Sequence, residues 1–113
     1  QRRGEYALTN VYHREYYDHF LITIEGHNAY AEHGKNIVCA AISVLAYTLV
    51  NCMLDEEAQG NVKLIRNIVR DGFVHLEIEY YDFSKERVKG ILDACLTGFL
   101  MLEESYPKHV AFR

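Results

Sequence analysis

The feature that most constrains this sequence is the pair Asp71-Gly72, which lies between two segments of alternating polar and apolar residues. One segment covers residues 62–70 and the other covers residues 73–81. An Asp-Gly pair readily adopts the positive φ angles of a two-residue turn between antiparallel strands. The sequence therefore predicts a β-hairpin, and the apolar face of that hairpin needs a covering layer.

Two further strands are predicted before the hairpin and one after it. Residues 18–25 alternate, with Phe20, Ile22 and Ile24 on one side, which is typical of a half-buried strand that ends at Gly26. Residues 5–11 alternate more weakly and are interpreted as the first strand. Residues 27–36 show no periodicity and are interpreted as a loop, and residues 109–112 are compatible with a short edge strand.

Two long helices are predicted from apolar residues that recur every three or four positions. The first covers residues 37–53 and would be capped by Asn36, after which the acidic residues 55–61 are interpreted as a surface loop. The second begins after Ser84 and ends before Pro107, which forbids its continuation. The helix stripes are Val38, Ala41, Ile42, Leu45, Leu49 and Cys52 in the first, and Val88, Ile91, Leu92, Cys95, Phe99 and Leu102 in the second.

These elements predict an α+β fold with two layers, in which two long helices cover one face of a mostly antiparallel sheet. The order is β-β-α-β-β-α, with a short C-terminal strand. The 113 residues contain no repeat and no Pro- or Ser-rich linker, so residues 1–113 are interpreted as one domain.

Composition and spacing exclude several classes of function. The net charge of −4 argues against a nucleic-acid-binding face, and the apolar run at residues 38–50 is too short to cross a membrane. The three cysteines form no CxxC pair, which is typical of a reduced cytoplasmic protein. The histidines and cysteines lack the spacing of a zinc site, and no phosphate-binding loop is present, so we expect no metal and no cofactor.

Cys39 is the cysteine with an activating position. If Asn36 caps the helix, Cys39 is its third residue, where unpaired N–H groups and the helix dipole favour the thiolate. Cys52 lies at the opposite end of the same helix, and Cys95 lies in the middle of an apolar stripe. The competing interpretation is that Cys39 is a small buried apolar residue, which is the commoner role at such a position.

His27 follows the predicted strand end and opens the loop that leads to Cys39. A thiol and an imidazole are the minimal machinery of a cysteine protease, and N–H groups around Cys39 and Ala40 are placed to stabilise an oxyanion. A solvated loop histidine is an equally good interpretation of His27. His33 is a competing base, and Ser43 would bond either within the site or back to the carbonyl of Cys39.

The segment from Gly26 to Ser43, G-H-N-A-Y-A-E-H-G-K-N-I-V-C-A-A-I-S, resembles the signature of the ribosomal-processing cysteine proteases called Prp. That signature reads roughly G-H-A, a short loop with a glycine, and D-I-V-C-A-A-V-S. The resemblance implies that His27 and Cys39 are catalytic. It also implies that residues 27–35 form a mobile substrate-site loop, with Gly26, Asn28, Tyr30 and Gly34 as its candidate residues and with Asn36, Ala40 and Ser43 beside the thiol.

The resemblance further implies a cytoplasmic bacterial homodimer that acts as a cysteine endopeptidase. Such an enzyme would remove the N-terminal extension of a large-subunit ribosomal protein, the twenty-seventh, after an aromatic residue. A basic peptide partner is expected, without direct contact to nucleic acid or membrane. Asn36 replaces the usual Asp and Asn28 the usual Ala. The alternative is therefore a weakly active or non-catalytic dimeric paralogue that binds another peptide.

Overall fold

The computed structural model describes residues 8–26 and 36–113. It confirms the predicted two-layer α+β fold, with a five-stranded sheet and two helices. The elements are β1 (Thr9–Tyr16), β2 (His19–Glu25), α1 (Asn36–Ala58), β3 (Val62–Arg70), β4 (Phe73–Tyr80), α2 (Lys85–Ser105) and β5 (Val110–Phe112), with a 3₁₀ turn (Asp82–Ser84) before α2.

The strands are arranged in the order β3-β4-β2-β1-β5. All neighbouring pairs are antiparallel except β1 and β5, which are parallel. The predicted hairpin is confirmed: Arg70 pairs with Phe73 across the turn, and Gly72 has a φ of 77°.

The core lies between one face of the sheet and the two helices. Alternate residues of β2 and β4 point into it, as the sequence periodicity predicts. Both helices contribute one stripe to the same core. Its most completely buried side chains include Phe20, Ile22 and Ile24 from β2, Leu76 and Ile78 from β4, Ile42, Leu49 and Met53 from α1, and Leu92 and Phe99 from α2.

The first strand covers Thr9–Tyr16 rather than residues 5–11, so that boundary prediction is wrong. Tyr12 and Tyr16 are exposed, and inward-facing Val11 is almost fully buried. The alternation of this strand is weak because its outward side carries aromatic residues. Pairing of Asn10 to Tyr16 with β2, rather than apolar periodicity, defines the strand.

Helix α1 extends to Ala58, five residues beyond the predicted end, so residues 55–58 are helical rather than a loop. The reason is Glu56, a carboxylate that is only 2% exposed. It accepts hydrogen bonds from Arg87 Nε at 2.9 Å and Nη2 at 3.0 Å, and from Asn61 Nδ2 at 2.8 Å. The Arg87 guanidinium outweighs burial and holds the pKa of Glu56 below its ordinary value. This bidentate pair ties the end of α1 to the start of α2.

A β-bulge lies between Leu64 and Arg66 in β3. The extra residue reverses which side chains face the core, because successive residues of a strand point to opposite faces. Val62 and Leu64 face inward before the bulge, and Asn67 and Val69 share the inward face with Leu76 and Val74 after it. The sequence pattern alone places Arg66 and Ile68 on the face of Val62.

The apolar segment of α1 is longer than the run at residues 38–50 from which its length was predicted, and the helix is long and apolar enough, by length and composition, to cross a membrane. The prediction that it is too short is therefore wrong. The inward side of the same helix is part of the core, and a core helix of this kind meets the same criterion. Its apolar character arises from two stripes, one buried and one exposed on the opposite side.

Candidate active site

Cys39 is the fourth residue of α1, which begins at Asn36. It therefore lies at the end of the first turn, where the helix dipole favours negative charge. Its side chain is half-buried, whereas its neighbour Val38 and the core residue Ile42 are buried. The thiol thus lies at the boundary between core and solvent, which disfavours its interpretation as a fully buried apolar residue.

The other two cysteines occupy a different environment. Cys52 and Cys95 line a groove of about 590 Å³ between α1 and α2. Cys95 is buried, and burial raises the pKa of its thiol, assisted by the nearby Cys52. Neither lies at the start of a helix.

Gly26 fixes the point from which the loop departs. Its φ of 99° lies in the left-handed region, and its N–H donates to the carbonyl of Gly72 at 3.2 Å. A Cβ at this position would overlap the carbonyl oxygen of Leu8. The end of β2 is therefore held between the β3–β4 turn and the start of β1.

Cys39 and Gly26 lie at the same end of the sheet. The end of β4 pairs with the start of β2 through Glu79 and His19, and β3 starts beside it. Helix α1 leads into β3 through a short connection, so α1 ends where β2 starts. Its 23 residues span about 34 Å at 1.5 Å per residue, so its first turn lies near the opposite end, where β2 ends.

The remaining predicted site residues are placed as follows. His27, Asn28, Tyr30, His33 and Gly34 lie outside the described residues, so the predicted loop is not among the features described. Asn36 is the first helical residue. Ala40 is exposed and Ser43 is half-buried. The role of Ser43, whether within the site or back to the carbonyl of Cys39, stays a prediction.

An uncovered part of the sheet at this end was not predicted. Asn67 and Val69 are exposed, although they point to the same face as the buried Leu76 and Val74. We call this pair the open shelf. The bulge in β3 creates it by turning these two residues inward beyond the area that the helices cover, and no residue type in the sequence announces a bulge at this place.

The sequence profile of the family described as "Cysteine protease Prp" matches residues 10–111, which is nearly the whole chain. The chain belongs to this Prp family. The resemblance of the Gly26–Ser43 segment is thereby confirmed at the level of the family, and the chain is a member of a family of cysteine proteases.

Two solved structures support the Prp fold. The crystal structure of SMU.848 from Streptococcus mutans is 27% identical, with a TM-score of 0.71, and the match covers 95% of this chain and 93% of that one. The ribosomal processing protease Prp from S. aureus, solved in complex with a substrate peptide, is 19% identical, with a TM-score of 0.66 and coverage of 94% and 96%. Among the curated proteins, no sequence matches.

Proposed function

We propose that this protein is a cysteine endopeptidase in which Cys39 is the nucleophile and His27 is the general base. The observation that carries the proposal is the half-buried thiol in the first turn of α1, at the end of the sheet where β2 delivers the loop with His27. Cys39 and His27 also match the Cys and His of the family signature. The fixed start of that loop at Gly26 supports a defined approach of the imidazole.

The reaction would proceed through an acyl-enzyme. His27 takes the proton of the Cys39 thiol, and the sulfur attacks the scissile carbonyl to form a tetrahedral oxyanion. The C–N bond then breaks, and the imidazolium gives its proton to the leaving amine. A water molecule, deprotonated by His27, hydrolyses the thioester and restores the thiol.

Backbone N–H groups at the start of α1 would stabilise the oxyanion. In a helix that begins at Asn36, the N–H of Ala40 donates to the carbonyl of Asn36. The N–H of Ala40 would therefore be available to the oxyanion only if the first turn opened. The unpaired N–H groups of the first turn belong to residues before Cys39. Ser43 is half-buried one helical turn after the thiol, and it would bind substrate or water.

The family and the open shelf support a proposal for the substrate class. We propose the N-terminal extension of the twenty-seventh protein of the large ribosomal subunit, cut after an aromatic residue. The S. aureus neighbour is a ribosomal processing protease that binds a substrate peptide. Asn67 and Val69 would offer an extended peptide a polar and an apolar contact at this end of the sheet, and Gly26, Asn28, Tyr30 and Gly34 would shape the other side.

The protein would act as a cytoplasmic homodimer that pairs through α1. The outward side of this helix carries a second stripe, all of it exposed; Ile37 is 63% and Val44 is 64% exposed. The spacing alternates between three and four residues, as in a helix that packs against another helix. We call it the outer stripe: Ile37, Ala40, Val44, Tyr47, Asn51, Leu54 and Ala58.

A second copy fits this stripe because like stripes related by a two-fold axis are self-complementary. The stripe begins two residues before Cys39, so the partner helix would border the catalytic thiol. The substitution Val44→Glu should convert the dimer to a monomer in sedimentation experiments. The matched control is Phe83→Glu, because Phe83 is 76% exposed and belongs to the 3₁₀ turn rather than to the stripe. A dimer that survives Val44→Glu contradicts pairing through α1.

Turnover of a fluorogenic peptide with an aromatic–small cleavage bond tests the catalytic proposal. Cys39→Ala and His27→Ala should each abolish turnover, whereas Cys52→Ala should retain it, since Cys52 is equally half-buried but lies near the other end of α1. If Cys52→Ala lost activity and Cys39→Ala kept it, the assignment of Cys39 as the nucleophile would be wrong. If the unmodified protein bound the peptide without turning it over, the non-catalytic paralogue would be favoured. The sequence basis for that alternative is that Asn36 and Asn28 replace the usual Asp and Ala of the signature.

A further inference from the structure

A cluster of potential metal ligands lies at the corner of the sheet where β2 begins. One ligand atom each from Asp18, His19 and Glu79 lies within 4.8 Å of the others. His19 and Glu79 are cross-strand partners, and both point to the face opposite the helices, because Phe20 and Ile78 point into the core. Asp18 belongs to the turn that joins β1 to β2.

The positions of these three residues are fixed by contacts outside the cluster. The N–H of Tyr80 donates to the carbonyl oxygen of Asp18 at 2.9 Å, which joins the turn to the end of β4. The His19 ring stacks on Tyr16 at 5.4 Å between centroids. Its Nε2 lies 3.0 Å from Glu77 Oε2. When Nε2 carries the proton and donates to Glu77, Nδ1 keeps its lone pair free for a metal.

Three carboxylates, Asp18, Glu77 and Glu79, meet at this corner. On the neighbouring strand, Lys63 lies opposite Glu79 and Arg66 lies opposite Glu77. In residues 8–26 and 36–113, however, no lysine or arginine forms an ion pair with any of the three carboxylates. Lys85 lines the same cavity of about 260 Å³ as Asp18, yet it makes no such pair. The only described basic groups paired with the carboxylates are the imidazoles of His19 and His75, both with Glu77.

We propose that Asp18, His19 and Glu79 bind a divalent transition-metal ion, for which Zn²⁺ is the best fit, with water as the fourth ligand. One imidazole and two carboxylates are ligands that Zn²⁺ accepts at about 2.0–2.2 Å. Two ligand atoms on one tetrahedral ion are then about 3.4 Å apart, so separations that now reach 4.8 Å need to shorten by up to about 1.4 Å. Rotation of the exposed Asp18 side chain would bring its carboxylate closer to the other two ligands.

Glu77 acts as a positioning residue in this site. A carboxylate that accepts the second N–H of a metal-bound histidine fixes the ring and increases its basicity, which is a common arrangement at zinc sites. The same Glu77 lies 3.7 Å from Nε2 of His75, whose Nδ1 is within 2.8 Å of Thr23 Oγ1. The supporting carboxylate is thus itself held from both sides.

This site is separate from the proposed catalytic thiol. His19 begins β2 and Gly26 directly follows it, seven residues later, which corresponds to about 24 Å along a strand. The cluster lies on the sheet face that the helices do not cover. The ion would join the β1–β2 turn to the end of β4. The sequence spacing gave no sign of it, because His19 and Glu79 become neighbours only through strand pairing.

The test is titration of the purified, metal-free chain with Zn²⁺ in a calorimeter, followed by titration with Co²⁺ to read the ligand type from its absorption spectrum. The variants His19→Gln and Glu79→Gln remove one ligand each, and Glu77→Gln removes the support. The matched controls are Glu25→Gln, on the same strand, and His109→Gln, near β5. Thermal unfolding of every variant establishes that it is folded. If His19→Gln does not fold, Glu79→Gln alone tests the loss of a ligand.

The proposal predicts one Zn²⁺ per chain, an affinity that falls by about tenfold or more in both ligand variants, and a loss of about tenfold in Glu77→Gln. Both controls should bind as the unmodified chain does, and the Co²⁺ spectrum should lack the intense near-ultraviolet band of thiolate ligation. Absence of Zn²⁺ binding, equal affinity in all variants, a thiolate band, or preference for Ca²⁺ or Mg²⁺ over Zn²⁺ would each overturn it.

Discussion

Replacement of Gly26 by alanine tests how the end of β2 positions the proposed catalytic loop. Gly26 has a φ of 99°, and Gly60, after α1, has a φ of 81°. An L-residue in this region costs about 1–2 kcal/mol, so Gly26→Ala and Gly60→Ala share that penalty. Only Gly26 has a neighbour in the way: its new Cβ would overlap the backbone carbonyl of Leu8, whereas the Cβ at Gly60 would meet nothing within 4 Å.

The overlap at Gly26 adds the cost of displacing backbone, which is about 1–3 kcal/mol for overpacked sites. We therefore expect a loss in the free energy of unfolding of about 2–5 kcal/mol for Gly26→Ala and about 1–2 kcal/mol for Gly60→Ala. Urea denaturation measures both values. With a slope of about 2 kcal/mol per M, a difference of 2 kcal/mol separates the two midpoints by about 1 M.

The same pair of variants separates stability from catalysis. Because His27 follows Gly26 directly, a shift of the strand end moves the imidazole, and Gly26→Ala should lower kcat on the peptide substrate. Gly60→Ala should leave kcat unchanged under conditions in which both variants are folded. Equal losses of stability in the two variants, or an unchanged kcat in Gly26→Ala, would refute the role assigned to the Gly26 contact.

Three further predictions concern stability. Burial and the hydrogen bond to Glu15 raise the pKa of Tyr80 above its usual value of 10.0. The unfolded chain therefore loses this proton first, and stability should fall above about pH 10. The pKa of Lys89, which donates to the same Glu15, is also raised, so Tyr80→Phe should make this fall smaller without removing it. The pKa of Glu56 lies below its usual 4.5. Its contribution to the free energy of unfolding is therefore complete above that pH and should disappear on acidification. In Glu56→Gln, the free energy of unfolding should depend less steeply on pH in this acidic range. Gly90→Ala, in α2, places a Cβ in open space and should raise the free energy of unfolding by about 0.5–1 kcal/mol. Gly98→Ala, in the same helix, should not give this gain, because its Cβ would lie 2.7 Å from Leu45 Cδ2.

The sequence predicted what depends on local periodicity. The Asp71-Gly72 hairpin, the inward side of β2 and the stripe of α2 all follow from spacing, and the structure has them as predicted. The order of the elements and the two-layer arrangement followed because two apolar helix stripes and one apolar sheet face have few ways to cover each other.

The features that the sequence did not predict depend on contacts between distant residues. The last turn of α1 is helical because Arg87, 31 positions later, pairs with Glu56. The inward placement of Asn67 and Val69 depends on a bulge, and the cluster of His19 with Glu79 depends on strand register. A sequence pattern of charged or alternating residues does not distinguish a loop, an exposed strand and a buried ion pair, because the difference lies in contacts with residues distant in the sequence.

The candidate site was predicted in part for the same reason. The position of Cys39 near the start of a helix is a local property, and the structure differs from the prediction by one residue. The contact between His27 and Cys39 depends on the course of the intervening segment, so it stays a prediction. Family membership supports the protease class without fixing either residue's role.

The most direct test of thiol activation is the rate at which Cys39 is alkylated by iodoacetamide at neutral pH, measured by mass spectrometry. Cys52 is an internal reference, since both cysteines are half-buried. Activation by the helix start and by His27 predicts that Cys39 reacts about ten times faster than Cys52 or more, and that His27→Ala slows Cys39 selectively. Equal rates for the two cysteines in the unmodified protein would contradict the account.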